Sequence, residues 1–186
     1  MRPQKVDNKT LMEGLMTVLR LNGFDGTSLN DMAEATGLKK ASLYHRFPGG
    51  KKEITEKVLS YVHSWNQEHV AKVLKASKVK PVERLEQVIK NIQILYNNGD
   101  SICIFRALTM ETSASLFGLQ IEEGFNLWIE SFTQLGLDFG FEKSKATKMA
   151  QEVLIRIQGS LVVAKGLKDL TPFQQTLISI KHMYIN

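Results

Sequence analysis

The chain has 186 residues, 43% apolar and 23% charged, with a formal net charge of +5. This composition excludes a disordered or fibrous protein, and the length suffices for one large domain or a small module joined to a larger one. A single cysteine, Cys103, excludes an intramolecular disulfide and a thiolate metal cluster, in keeping with a reducing compartment.

The start, MRPQKVDNKT, offers no apolar stretch for a secretory signal, and no run of about 18 apolar residues suggests a membrane span, so a cytoplasmic protein is expected. Leu11, Leu15, Val18 and Leu19 form one face of a first helix, which Gly23 closes by tolerating a left-handed backbone. Ser28 is the expected N-cap of a second helix over 29–35, with the Asp31 carboxylate placed near its first-turn amides. Thr36-Gly37 makes a turn into a third short helix, which must end at Arg46 or Phe47 because Pro48 disfavours α geometry in the residue before it. Two short helices joined by a Gly-containing turn and packed on a longer one form a helix-turn-helix.

In the third helix, Leu43 and Phe47 share the face that can seat it on its neighbours. Lys40 with Tyr44, Ala41 with His45 and Ser42 with Arg46 are left outward, and Lys39 stands at the helix entrance. Residues 37–52 carry five Lys/Arg and no acid, so the basic excess is concentrated here. Cations, hydroxyls and an imidazole on one exposed face suit phosphates and base edges in a major groove. After Gly49-Gly50 a fourth helix opens at Lys51 and runs into the seventies; Lys51 and the early amides of that helix would bind an anion such as a DNA phosphate.

Beyond Lys80-Pro81, Leu85, Val88, Ile89, Ile92 and Leu95 trace an amphipathic helix that Asn97-Asn98-Gly99-Asp100 breaks. The stretch 102–141 is rich in large apolar side chains. Singly these are core residues; collectively Phe105, Met110, Phe125, Trp128 and Phe132 are candidates to line a pocket for a hydrophobic or aromatic ligand. Met149, Val153, Ile157, Leu161 and Ala164 line a long helix, with Leu154 and Val162 extending its apolar surface toward a second face. Thr171-Pro172-Phe173-Gln174 reads as an N-cap, a first-position Pro and a capping-box Gln for a last helix striped by Phe173, Leu177, Ile180 and Tyr184. No strand alternation, repeat or low-complexity segment occurs, and the expected fold is all-α.

Catalytic patterns are missing. His63 and His69 do not share a helix face, no HExxH occurs, and neither Ser nor Cys sits in a nucleophile motif. "HRFPGGKK" resembles a P-loop only superficially, with His45 where the first Gly should stand and Lys52 where Ser/Thr should. No cofactor, metal or enzymatic activity is expected.

Gly23-Phe24, Thr27-Ser28, Met32-Ala33, Gly37, Ser42-Leu43-Tyr44-His45-Arg46-Phe47 and Lys51 together closely resemble the DNA-binding domain of TetR-family transcriptional repressors. The Phe-Pro-Gly-Gly-Lys corner resembles the LmrA/YxaF-type branch, whose loop before helix four is one residue longer than in most of the family. The resemblance implies a helix-turn-helix domain over 1–50 and an effector-binding and dimerisation domain over 51–186, connected by the helix from 51. It implies a homodimer on a pseudo-palindromic double-stranded operator, released by a small-molecule inducer that moves helix four. Carried across, Ser28, Lys39, Lys40, Ala41, Ser42, Tyr44, His45, Arg46 and Lys51 would touch DNA. Lys52 departs from the Glu that many relatives have. Met149, Val153, Ile157, Leu161, Phe173, Leu177 and Tyr184 would form a four-helix dimer interface, with Gly159-Ser160 permitting close approach. A DNA-binding or architectural module with a filled C-terminal core is the other class these residues allow.

Overall fold

The computed structural model describes residues 6–109 and 111–185. These form α1 (Asn8–Asn22), α2 (Leu29–Thr36), α3 (Lys40–Arg46), α4 (Gly50–Asn66), a widened π turn (Gln67–Ala71) running into α5 (Lys72–Leu74), α6 (Pro81–Leu95), α7 (Ile104–Ala107), α8 (Glu111–Asp138), α9 (Lys143–Leu167) and α10 (Thr171–Ile185). No strand occurs among the described residues, and none of their helices is long and apolar enough to cross a membrane. The chain divides into two compact units, one formed up to Val62 together with Ile104–Ile121, the other by His63–Cys103 and Glu122–Asn186. The first unit therefore recruits a segment that the sequence reading placed wholly in the second domain.

In the first unit, Asp7 caps α1 by accepting the Thr10 N–H at 3.0 Å, and Gly23 ends it at φ 67° with its N–H donated to the Leu19 carbonyl. Leu11, Leu15 and Leu19 are fully buried with Met32, Leu43, Ile54 and Val58, each such side chain contributing about 1.5–3 kcal/mol on leaving water. α7 packs against α1. Phe105, expected to line a ligand pocket, is buried on α7 within this unit.

α1 and α2 approach closely at Gly14, where an added Cβ would lie 2.6 Å from the Ala35 carbonyl oxygen. That oxygen is backbone and cannot swing aside, so Gly14→Ala forces α1 and α2 apart. We expect a net loss of about 1–3 kcal/mol despite the better helix propensity of Ala. Gly118 on α8 has nothing within 4 Å of its virtual Cβ, so Gly118→Ala should stabilise by up to about 1 kcal/mol. Opposite shifts of the urea midpoint check the pair; equal shifts would remove the close-packing argument.

In the second unit, the Asn91 Nδ2 donates to the His69 carbonyl at 2.7 Å, satisfying an oxygen inside the π turn. Arg84, 3% exposed, donates through Nη1 to the Leu74 carbonyl at 2.5 Å and to Asp138 Oδ2 at 2.7 Å. Gly99, at φ 105°, leaves room for the Phe173 ring, which a Cβ would meet at 2.9 Å. α9 and α10 pack along their lengths, and Tyr184 donates its hydroxyl to the Phe132 carbonyl at 3.3 Å. Burial pushes the Tyr184 hydroxyl well above its ordinary pKa, so it stays protonated as a donor.

Two expectations are corrected here. Met149, Val153, Ile157, Leu161, Phe173, Leu177 and Tyr184 are all buried within their own chain, Met149 being the most accessible at 9%. They are the internal seam of the unit, because the most apolar stripe of a helix is taken first by its own core. Thr171 is not the cap it was expected to be: its N–H and hydroxyl both donate to Asp169 Oδ1, at 2.9 and 2.7 Å, so Asp169 organises the start of α10.

Candidate nucleic-acid interface

α3 is built to show one face. Leu43 is fully buried and Phe47 nearly so, while Lys39, Lys40, Ala41, Tyr44, His45 and Arg46 are exposed and Ser42 is half-buried. The exposed side chains of this set make no ion pair or hydrogen bond among the described residues, so their donors are available to a partner. Lys39, in extended conformation at the N-cap position, gives no side-chain cap; its carbonyl accepts the Ser42 N–H at 2.8 Å. Gly50 turns the chain at φ 65°, a left-handed conformation that favours glycine, with the Tyr44 ring 3.9 Å from where a Cβ would be.

The turn before α3 is fixed by capping at both ends of α2. Asp31 donates its N–H to Ser28 Oγ at 3.2 Å, and its carboxylate accepts the Ser28 N–H at 2.7 Å. Gly37 closes the helix in the left-handed conformation. The Ser28 hydroxyl accepts in this cap, and the same side chain bonds the Asp31 carboxylate.

The Ser28 N–H and then the Ser28 side chain hold the Asp31 carboxyl below its ordinary pKa. A carboxyl depressed in the folded state contributes stability above its unfolded pKa and loses it as pH falls through the folded one. Melting temperatures of the wild type and Asp31→Asn should thus differ at neutral pH and converge in acid. A gap that does not change with pH would separate this cap from the carboxylate charge.

At the start of α4 the structure departs from the expected open anion site. Glu53 Oε2 accepts the Gly49 N–H at 2.7 Å, so part of the amide cluster is satisfied internally. Lys51 is half-buried and turns back: its Nζ donates to the Phe24 carbonyl at 2.9 Å and lies 4.3 Å from the centroid of the Phe24 ring. Glu53 and Phe24 were not singled out as partners by the sequence. The Gly49–Glu53 spacing of a capping interaction could have revealed the first; no local signal joins residues 27 apart.

Of the other expected ligand-lining residues, Trp128 and Phe132 are buried in the second unit and Phe125 is half-buried there. Met110 lies outside the described residues. Where α9 and α10 do expose large apolar side chains, these are Ile155, Val162, Val163 and Leu167 on the first and Ile178 and Ile185 on the second. Gly159 and Gly166 accompany that α9 face, with open space around their virtual Cβ atoms.

Residues 11–58 match the family described as bacterial regulatory proteins, tetR family, and residues 81–177 match the C-terminal domain of LmrA/YxaF-like transcriptional regulators. The chain is 25% identical over 159 residues to the HTH-type transcriptional regulator YxaF of Bacillus subtilis, covering 83% of each. To LmrA of the same organism it is 23% identical over 166 residues, covering 87% of this chain and 88% of the relative. A TetR regulator of Legionella pneumophila superposes with a TM-score of 0.82 at 19% identity, over 98% of this chain and 99% of that one. A cysteine mutant of CifR, complexed with a 26bp double-strand operator DNA, superposes with a TM-score of 0.72 at 20% identity, over 98% of each chain. An exposed basic recognition helix on a helix-turn-helix defines a DNA-binding regulator. The chain belongs to the TetR family of transcriptional regulators, in its LmrA/YxaF-like branch, and is not an enzyme.

Proposed function

We propose that this protein represses transcription as a homodimer on a pseudo-palindromic operator and is released by a small hydrophobic or aromatic inducer. The observation that carries the reading is α3, which buries Leu43 and Phe47 and turns every other side chain from Lys39 to Arg46 at least partly to solvent. In this reading Ala41, Ser42, Tyr44 and His45 meet base edges. Lys39, Lys40, Arg46, Ser28 and Lys51 meet the backbone on either side, and two copies place α3 about one helical turn apart. A DNA partner places the protein with the chromosome, in the cytoplasm.

The second copy docks on the exposed α9 face, Ile155, Val162, Val163 and Leu167, where Gly159 and Gly166 let backbones approach, together with Ile178 of α10. This keeps the last two helices as the dimer element while replacing the buried stripe that the sequence suggested. Phe125 and Trp128 remain the proposed walls of the inducer site.

Capture of genomic fragments at physiological salt, followed by footprinting, tests the whole reading. A short inverted-repeat footprint supports it; uniform, salt-sensitive recovery would favour an architectural protein. Lys51→Ala should weaken binding to all sequences and lower the salt slope by roughly one. Ser42 or His45 substitutions should instead change the ranking of operators. An unaltered salt slope in Lys51→Ala would remove Lys51 from the phosphate contacts.

A further inference from the structure

We propose that Phe24 and Phe117 are positioning residues for the phosphate contact of Lys51, so that α8 sets DNA affinity from outside the helix-turn-helix. The inference rests on the DNA-binding reading above and adds to it a route by which another helix reaches the interface. Three contacts make the route. The Lys51 ammonium donates to the Phe24 carbonyl and lies over the Phe24 ring, at 2.9 and 4.3 Å. The Phe24 ring, 9% exposed, meets the Phe117 ring edge to face, with centroids 5.1 Å apart and planes at 73°. Phe117 is 1% exposed and belongs to α8. All of these residues lie in the first unit, whereas α8 continues past Ile121 into the second.

The chemistry gives the arrangement its sense. A lysine has three N–H donors on a flexible stem, and ordering that stem opposes phosphate binding. Here one donor is spent on the carbonyl and the charge is held over an aromatic face, so the stem is ordered in advance while donors remain for a phosphate. The same carbonyl accepts the Thr27 N–H at 3.3 Å, next to Ser28, which ties the ammonium to the turn that leads into α2. Phe24 can serve as this platform only while its ring is held, and the Phe117 edge holds it. A displacement of α8 that withdraws Phe117 frees the Phe24 ring and loosens the ammonium, with no change in α3.

The test combines amine reactivity with a double-mutant cycle. Acetic anhydride at limiting dose, read by peptide mass mapping, should acetylate Lys51 more slowly than its exposed neighbour Lys52. Phe117→Leu, and independently Phe117→Met, should bring the Lys51 rate toward that of Lys52. Each should also weaken binding to a mixed-sequence duplex at low salt by about two- to tenfold, the range expected for an aromatic pair. In a Lys51→Met background the same substitutions should leave that affinity unchanged. A merely structural role for Phe117 would weaken binding equally in both backgrounds and would overturn the proposal. So would equal acetylation of Lys51 and Lys52 in the unsubstituted protein, a result that needs no variant to fold. Absence of any duplex binding by the unsubstituted protein would instead sink the DNA-binding reading and the phosphate role of Lys51 with it, whatever the acetylation pattern.

Discussion

Asp138→Ala should lower stability by about 3–5 kcal/mol, more than Arg84→Met, although the two residues form one ion pair. The asymmetry follows from their surroundings. The Arg84 side chain is 3% exposed and that of Asp138 28%. Removing the carboxylate leaves a guanidinium in the interior with the Leu74 carbonyl as its remaining partner, and its Nε already lacks one. Removing the guanidinium leaves a carboxylate that water can reach and that still accepts from Gln134 Nε2 at 2.9 Å. The cost is then mainly the orphaned Leu74 carbonyl, about 1–3 kcal/mol. The double variant should therefore lie close to Arg84→Met, because no buried charge is left unpaired. Urea unfolding of the three variants checks the order. Additive losses in the double variant would mean that the pair is not coupled, and a smaller loss in Asp138→Ala than in Arg84→Met would overturn the argument from burial.

This ion pair was not legible in the sequence, and the reason is instructive. Arg84 and Asp138 are 54 positions apart, and nothing local distinguishes Arg84 from the solvated cations around it. The π turn at Gln67–Ala71 was equally hidden: QEHVA contains neither Pro nor Gly, and its geometry is matched by a tertiary hydrogen bond from Asn91. By contrast, Gly23, Ser28, Gly37 and Pro48 punctuate the first unit with local chemistry, and they mark the end of α1, the span of α2 and the end of α3 within a residue or so of where these fall. The outward face of α3 followed from helical spacing because the helix is short and anchored by Leu43 and Phe47. Periodicity misled on α9 for a physical reason. It ranks faces by apolarity, and the most apolar face is satisfied inside the chain. The weaker face, with Ile155 at 65% and Val163 at 47% exposure, is what remains to meet anything else.

In the proposed homodimer, Val163→Glu should separate the two copies and reduce operator affinity by about 10²–10⁴-fold, while leaving the isolated fold almost unchanged. In a two-fold interface the same residue enters twice, so one substitution sets two carboxylates in an apolar seam beside Val162 and Gly166. A carboxylate buried without a partner opposes association. Within one chain Val163 is exposed, and exposed substitutions ordinarily change stability by less than about 0.5 kcal/mol. The melting temperature at concentrations where the protein is monomeric should thus barely move. The affinity loss has a separate origin: two linked reading heads bind with an effective concentration that single heads lack. Binding to a mixed-sequence duplex by each head should persist with a lower salt slope, because fewer phosphates are contacted per particle. Sedimentation velocity and operator titration together decide the matter. A Val163→Glu protein that remains dimeric and binds its operator normally would place the subunit contact elsewhere than the outer face of α9. A monomeric protein with normal operator affinity would show that the second reading head adds nothing, against the pseudo-palindromic arrangement itself.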